Sequence, residues 1–158
     1  MHELAHKICP QCEARVLDEH RFCPSCGGDL SGVEALDGAP GIHSARYGES
    51  GKKLLTAKEK YLLLLENLKE RQDRSAAFVC ALVLYLSPRR IFVFQEECPG
   101  LIADKPSGEG GFGYDPVFFL PELGRTMAEL SDSEKNRVSH RGRAGSALRG
   151  FLAAEGEN

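Results

Sequence analysis

The segment at residues 77–95 reads AFVCALVLYLSPRRIFVFQ and contains the longest apolar run of the sequence. Its first part, residues 77–86, is an unbroken apolar run with β-branched and aromatic side chains, which is typical of a buried β-strand. Ser87-Pro88 interrupts the run, and residues 90–95 return to a β pattern, so the sequence predicts a β-hairpin. The run is about half as long as a membrane-spanning helix must be, so we expect no membrane partner.

Helical patterns lie on both sides of the predicted hairpin. Residues 56–59 (TAKE) form a capping box, and the apolar side chains after it repeat at helical spacing. A second amphipathic helix is predicted from Arg143 onward, and residues 103–113 form a Gly-rich loop between the two regions. The predicted fold class is therefore α/β, a mixed sheet with flanking helices.

Length and composition limit the classes of protein that this chain represents. With 158 residues and 42% hydrophobic residues, the sequence fits one globular domain plus a small appendage and excludes a disordered chain. The net charge of −3 provides no general attraction to nucleic acid. The first ten residues, MHELAHKICP, carry charge and cysteine where a secretory signal needs an apolar run, so we expect a cytoplasmic protein.

Four cysteines in two CPxC pairs stand near the start of the sequence: Cys9, Cys12, Cys23 and Cys26. This spacing suits tetrahedral Zn²⁺ and predicts a structural zinc ribbon, which we assign to residues 1–28. Two disulfides, a redox-active pair or a rubredoxin-like iron site are the alternatives; a reducing compartment disfavours the first, and the repeated motif disfavours the second. Cys80 and Cys98 lie in or beside apolar runs and are predicted to be core residues.

The charge of the predicted ribbon bears on its partner. Residues 1–30 contain five acidic residues and only three Lys or Arg residues, and four thiolates around Zn²⁺ would add a net charge of −2. A module that binds phosphate backbones should be basic. The ribbon is therefore predicted to support folding or to contact a protein partner, and nucleic acid is not expected.

Residues 110–116 (GGFGYDP) form the first of three patterns that carry chemistry. Glycines allow a backbone to approach a flat ligand, Phe112 and Tyr114 can stack on it, and Asp115 can accept a hydrogen bond from a base N–H. The alternative is an ordinary Gly-rich turn whose aromatic residues belong to the core.

The second pattern is basic, and the third is acidic. Residues 135–154 contain five Lys or Arg residues and His140 but no acidic residue, which favours an anionic ligand, although a solvated basic surface is the alternative. Asp29 and Ser31 precede a Gly- and Pro-rich turn, where acidic and hydroxyl groups can hold Mg²⁺ with a bound phosphate. Taken alone, this third pattern is weak evidence.

Five motifs together resemble one family. DGAPGIHSARYGESG (residues 37–51), GGFGYDPVFF (110–119), TMAEL (126–130), EKN (134–136) and SHRGRA (139–144) occur in the order and spacing of the inosine triphosphate pyrophosphatase family, the non-canonical purine nucleoside triphosphate pyrophosphatases. The resemblance covers roughly residues 29–152. It implies Mg²⁺-dependent hydrolysis of ITP, XTP or dITP to the monophosphate and pyrophosphate, usually by a homodimer with a substrate cleft between two lobes.

The resemblance also implies roles for individual residues. Four residues of the Gly-rich motif would form the base pocket, and three basic residues would complete it. Ser31 would contact the substrate near the metal. Asp29 would be the catalytic acid that binds Mg²⁺. The seven base-pocket residues are Phe112, Gly113, Tyr114, Asp115, Lys135, His140 and Arg141. The Lys and Arg donors suit a purine with a keto oxygen where adenine has an amino group.

The sequence departs from the family pattern at its N-terminal side. The family's Ser/Thr-x-Asn-x-x-Lys loop and a further metal-binding Glu are absent before residue 29. Leu30 stands where the family has its catalytic acid, so Asp29 would take that role from one position earlier. We therefore predict an N-terminally truncated pyrophosphatase domain, residues 29–158, fused to a zinc ribbon. Three hypotheses follow: an active hydrolase, a non-catalytic zinc-ribbon protein that retains the purine-binding half of the fold, or a chain without a stable fold.

Overall fold

The computed structural model describes residues 6–8, 15–17, 32–50 and 54–156. The chain divides into two compact units, residues 1–76 and residues 77–158. Six predicted site residues lie outside the described residues: Cys9, Cys12, Cys23, Cys26, Asp29 and Ser31.

Among the described residues, the first unit contains two paired strands, two 3₁₀ helices and one α-helix. Strand β1 (His6–Ile8) pairs antiparallel with β2 (Arg15–Leu17). The 3₁₀ helices span Glu34–Leu36 and Gly41–Arg46, and helix α1 spans Ala57–Asn67. The predicted capping box starts α1: the Thr56 hydroxyl accepts from the Glu59 N–H at 3.2 Å, and the Glu59 carboxylate accepts from the Thr56 N–H at 2.7 Å.

A four-stranded sheet in the order β3-β4-β5-β6 organises the second unit. The strands are β3 (Ser75–Ser87), β4 (Arg90–Ile102), β5 (Phe118–Leu120) and β6 (Arg125–Thr126). A two-residue turn joins β3 to β4, and the β4–β5 and β5–β6 pairs are antiparallel. The predicted hairpin is confirmed, and its strands are longer than the apolar pattern alone indicated.

Helices α2 (Asp132–Val138) and α3 (His140–Gly156) follow the sheet, and α3 packs on β4. The ring centroid of Phe151 in α3 lies 4.5 Å from that of Phe92. The predicted start of the last helix at Arg143 is wrong, because the helix begins at His140. Ser139 caps it, since its hydroxyl accepts the N–H of Gly142 at 3.2 Å.

The core of the second unit lies around Phe118, which is 1% exposed and stacks on Phe78 with ring centroids 4.0 Å apart. Val117, Met127 and Ala144 are buried as well. Cys98 is 1% exposed, which confirms its predicted place in the core, whereas Cys80 is only half-buried. Sheet and helices together confirm the predicted α/β class. None of the helices in the described ranges is long and apolar enough to span a bilayer.

Candidate functional site

The Gly-rich loop at residues 103–113 is tied down by hydrogen bonds from its backbone. The N–H groups of Ala103 and Ser107 donate to the carbonyls of Val117 and Pro116, each at 2.8 Å. The Gly110 N–H donates to the Ala128 carbonyl at 3.0 Å. These bonds fix the path of the loop toward the turn at residues 111–115.

The TMAEL motif, residues 126–130, supports this loop from the other side. The Thr126 hydroxyl donates to the Ser107 carbonyl at 2.9 Å, and the Ser107 hydroxyl donates to the Glu129 carboxylate at 2.8 Å. The Thr126 N–H and the Ser107 hydroxyl lower the pKa of Glu129, so this carboxylate stays ionised and keeps both bonds. The motif therefore positions the loop.

Asp115 is the polar centre of the turn. It is 4% exposed, and its Oδ2 accepts hydrogen bonds from the Phe112 N–H at 2.6 Å and from Lys135 Nζ at 2.5 Å. Gly111 has φ +74°, and an added Cβ would lie 2.2 Å from the same oxygen. Only glycine therefore fits here without displacing the ion pair.

Phe112 projects from this turn into solvent and is 61% exposed. Two cations lie over its ring: Lys135 Nζ is 4.7 Å from the ring centroid, and Arg141 Cζ is 4.5 Å from it. Cations at such distances are attracted to the negative face of an aromatic ring. An exposed ring flanked by two positive charges offers both a stacking surface and hydrogen-bond donors to a flat, anionic ligand.

Helix α2 brings Lys135 to the site, and two interactions hold the helix in place. Ser131 and Glu134 form a capping box at its start. Glu134 also pairs with Arg125 of β6 at 2.7 Å, and Arg125 together with Ser131 lowers its pKa to about 2. Hydrophobic periodicity does not predict this helix, although Ser131-x-x-Glu134 is a capping box like the one at Thr56.

The first turn of α3 brings Arg141 to the ring of Phe112. Only Ser139 separates α2 from α3, so the chain turns sharply between them. A Cβ on Gly142 would lie 1.7 Å from the Asn136 carbonyl oxygen. The corner between α2 and α3 can therefore form only with glycine at position 142. This close approach sets the spacing between the two cations.

His140 starts α3 and is half-buried, with its ring centroid 5.1 Å from that of Phe78. Burial lowers the pKa of His140 to about 4, with Arg141 and Lys135 acting in the same direction and Asp115 opposing. The imidazole is therefore neutral at pH 7. Its Nδ1 is buried and has no hydrogen-bond partner within the described ranges.

The second unit brings the seven predicted base-pocket residues into one region. Gly113 has φ +62°, and Tyr114 precedes a 3₁₀ helix at Asp115–Val117. The sequence predicted that Asp115 accepts from a base N–H, whereas its Oδ2 accepts from Phe112 and Lys135 within the chain.

No group of three or more His, Cys, Asp or Glu side chains that could hold a metal ion occurs among the residues that the structure describes. Glu49, in the motif at residues 37–51, instead pairs with Lys60 at 2.8 Å. That bond is the main cause of the lowered pKa of Glu49. The Glu49 carboxylate is thus already paired with the Lys60 ammonium group.

Comparison with known proteins identifies the family of this chain. Residues 31–151 match the model of the Ham1 family, and residues 8–30 match a zinc-ribbon domain. A dITP/XTP pyrophosphatase of Treponema denticola is 48% identical over 120 residues, which are 76% of this chain and 62% of the relative. A dITP/XTP pyrophosphatase of Geobacillus kaustophilus is 50% identical over 112 residues, 71% of this chain and 54% of the relative.

Solved structures give the same result. The Ham1 protein of Staphylococcus aureus superposes with a TM-score of 0.72 and 42% identity, covering 78% of this chain and 63% of that one. A HAM1 protein from Coxiella burnetii gives a TM-score of 0.72 at 40% identity, covering 81% and 66%. The chain spans roughly three fifths of the length of these relatives, and the predicted family resemblance is confirmed. By sequence and by fold, the chain belongs to the Ham1 family and carries a zinc-ribbon domain ahead of it.

Proposed function

We propose that this protein hydrolyses non-canonical purine nucleoside triphosphates, namely ITP, XTP and dITP, to the monophosphate and pyrophosphate. The observation that carries the proposal is the arrangement around Phe112, where Lys135 and Arg141 flank an exposed ring beside a neutral His140. The proteins that match at 48% and 50% identity are dITP/XTP pyrophosphatases, which supports the same substrate class.

The chemistry of the two cations supports a preference for keto purines. Hypoxanthine and xanthine present a keto oxygen where adenine presents an amino donor. Lys135 and Arg141 offer donors and no acceptor, so the adenine amino group would meet an N–H with nothing to accept it. A polar mismatch of this kind can discriminate between substrates by orders of magnitude.

Asp115 orients Lys135 in this proposal. The ammonium group has three N–H donors, and the bond to Asp115 uses one of them, which leaves two for a ligand. His140 complements the cations, because a neutral imidazole donates from one ring nitrogen and accepts at the other. Gly113 and Tyr114 would line the base pocket beside Phe112.

The phosphate side of the proposal rests on the family resemblance. Asp29 would be the catalytic acid that holds Mg²⁺, and Ser31 would contact the substrate beside it; both lie outside the described residues. Mg²⁺, when bound, would neutralise negative charge on the phosphates and on the leaving pyrophosphate. We also propose that the enzyme is a homodimer and works in the cytoplasm.

The N-terminal part, residues 1–28, is proposed to bind one structural Zn²⁺ through Cys9, Cys12, Cys23 and Cys26. The spacing of the two CPxC pairs and the match of residues 8–30 to a zinc-ribbon domain support this assignment. The pyrophosphatase domain would then comprise residues 29–158. A protein partner for the acidic ribbon is part of the same proposal.

Pyrophosphate release from the purified protein with Mg²⁺ tests the proposal. We expect release from ITP, XTP and dITP and little from ATP, and equal rates with ATP would contradict the keto-purine argument. A second candidate, non-catalytic purine binding, is favoured by Leu30 and by the absence of an Asn-x-x-Lys loop before residue 29. Binding of ITP in calorimetry without pyrophosphate release would support that second function.

A further inference from the structure

A cavity of about 400 Å³ opens beside the corner between α2 and α3. Its walls come from the end of β4, the turn between β5 and β6, and the two helices. The seven base-pocket residues, all of which the structure describes, are not among the residues that line it. Small-molecule sites have volumes of about 300–1,000 Å³. The cavity is therefore large enough to hold a ligand of its own, separate from the purine.

The walls of this cavity are mostly apolar. Cys98 lines it and is 1% exposed, and burial is the main cause that raises the pKa of the Cys98 thiol. The thiol is therefore protonated and uncharged at pH 7. The other apolar side chains in the walls are Pro99, Leu120, Pro121, Leu123 and Val138. Such walls favour a ligand with a large apolar group.

Two opposite charges, Arg143 and Glu122, line the same cavity without pairing with each other. Within the described ranges, the Arg143 guanidinium donates only to the Glu97 carbonyl, at 3.2 Å, and the Glu122 carboxylate has no hydrogen bond or ion pair. Arg143 lowers and Glu122 raises the pKa of the buried Cys98 thiol, so both charges act on one wall of the cavity. The bond to Glu97 leaves four of the five guanidinium N–H donors for a ligand.

We propose that this cavity binds a free α-amino acid with a large apolar side chain. The ligand carboxylate pairs with Arg143, the ligand ammonium group pairs with Glu122, and the side chain packs on the apolar walls. The charges of Arg143 and Glu122 sum to zero, so a zwitterion leaves neither of them unpaired. A nucleotide fits less well, because its phosphates would meet the Glu122 carboxylate. This site is independent of the proposed hydrolysis.

Titration of the full chain with L-phenylalanine, followed by the amide chemical shifts in NMR spectra, tests the site. At millimolar concentrations we expect saturable shifts at Gly100, Leu123 and Val138 and none at Phe112. Three analogues each lack one of the groups that the cavity recognises: phenylalaninamide has no carboxylate, N-acetylphenylalanine has no ammonium group, and alanine has no large side chain. Each should bind at least about tenfold more weakly than L-phenylalanine.

Variants test the two charges separately. Glu122→Gln changes an exposed side chain and should weaken binding of L-phenylalanine at least about tenfold, as should Arg143→Gln. The matched control is Arg149→Gln, an exposed arginine of α3 outside the cavity, which should bind like the wild type. Arg141→Ala removes a cation of the base pocket and should also bind like the wild type. The NMR spectrum of each variant verifies its fold.

The outcomes decide between the cavity, the zwitterion and the base pocket. Absence of shifts at Gly100, Leu123 and Val138 would overturn the site. Binding that survives Glu122→Gln, or that N-acetylphenylalanine reproduces, would overturn the zwitterion as the ligand. Binding that is lost in Arg141→Ala would place the ligand in the base pocket instead. Pyrophosphate release from ITP is measured on the wild type in parallel, so failure of the proposed hydrolysis is recognised independently.

Discussion

The ion pair between Asp115 and Lys135 is the interaction on which the candidate site depends, and Asp115→Asn isolates its charge. The side chains of Asp115 and Lys135 are only 6% and 16% exposed, so solvent screens the pair weakly. The Asn oxygen can still accept from Phe112 N–H and Lys135 Nζ, but the ion pair becomes a hydrogen bond between an ammonium group and a neutral amide. The difference between the two kinds of bond is about 1–2 kcal/mol, by which we expect the free energy of unfolding to fall. Asp115→Ala leaves Lys135 buried without a partner and should cost about 3–5 kcal/mol.

A double-mutant cycle measures this interaction directly. Urea denaturation of the wild type, Asp115→Asn, Lys135→Met and the double variant should give a coupling energy of at least about 1 kcal/mol. The matched control is the Arg90–Glu155 pair, whose side chains are 55% and 45% exposed and whose coupling should be about 0–1 kcal/mol. A coupling between Asp115 and Lys135 no larger than that of the control would refute the argument that burial makes this pair strong.

Four further predictions address the metal, the base, the catalytic acid and the response to pH. Wild-type protein should contain about one zinc per chain, and Cys9→Ser with Cys12→Ser should lose it; metal analysis that finds zinc retained would contradict the ribbon. Arg141→Ala should weaken ITP binding by about 1.5–3 kcal/mol in calorimetry and leave tripolyphosphate binding nearly unchanged, since a charged hydrogen bond to the base is lost. Because Leu30 stands where the family has its catalytic acid, hydrolysis of ITP should be far slower than that of the Treponema denticola relative and should vanish in Asp29→Asn; unchanged rates would assign the metal to another acid. Because the folded-state pKa of His140 is depressed to about 4, its contribution to stability is present above about pH 6.5 and is lost as the pH falls toward 4. His140→Gln should flatten thermal stability over that range.

The β-hairpin and helix α1 could be predicted because each has a strong local signal. The hairpin has an apolar run broken by Ser87-Pro88, and α1 has a capping box followed by apolar residues at helical spacing. Helix α2 lacks an apolar repeat, since its residues, DSEKNRV, include a single apolar side chain. Its pairing with Arg125 is a tertiary contact that hydrophobic periodicity does not reveal.

The members of the candidate site could be predicted from motifs, but their contacts could not. Lys135 and Asp115 are separated by 20 positions, and only the fold of the Gly-rich loop against α2 brings them together. The start of α3 was predicted three residues late, because the cap at Ser139 lies outside the amphipathic pattern that begins near Ala144. The TMAEL motif supported the resemblance, whereas its hydrogen bonds to the Gly-rich loop emerged from the structure.

The corner between α2 and α3 has a consequence for the entropy of binding. One residue joins the two helices, and Gly142 packs against the Asn136 carbonyl, so the backbones that carry Lys135 and Arg141 form a rigid bracket. A ligand that meets a preassembled pair of cations spends less of its interaction energy on ordering the protein. Insertion of even one residue at the corner would release the bracket, and affinity would fall although every side chain that touches the ligand is still present.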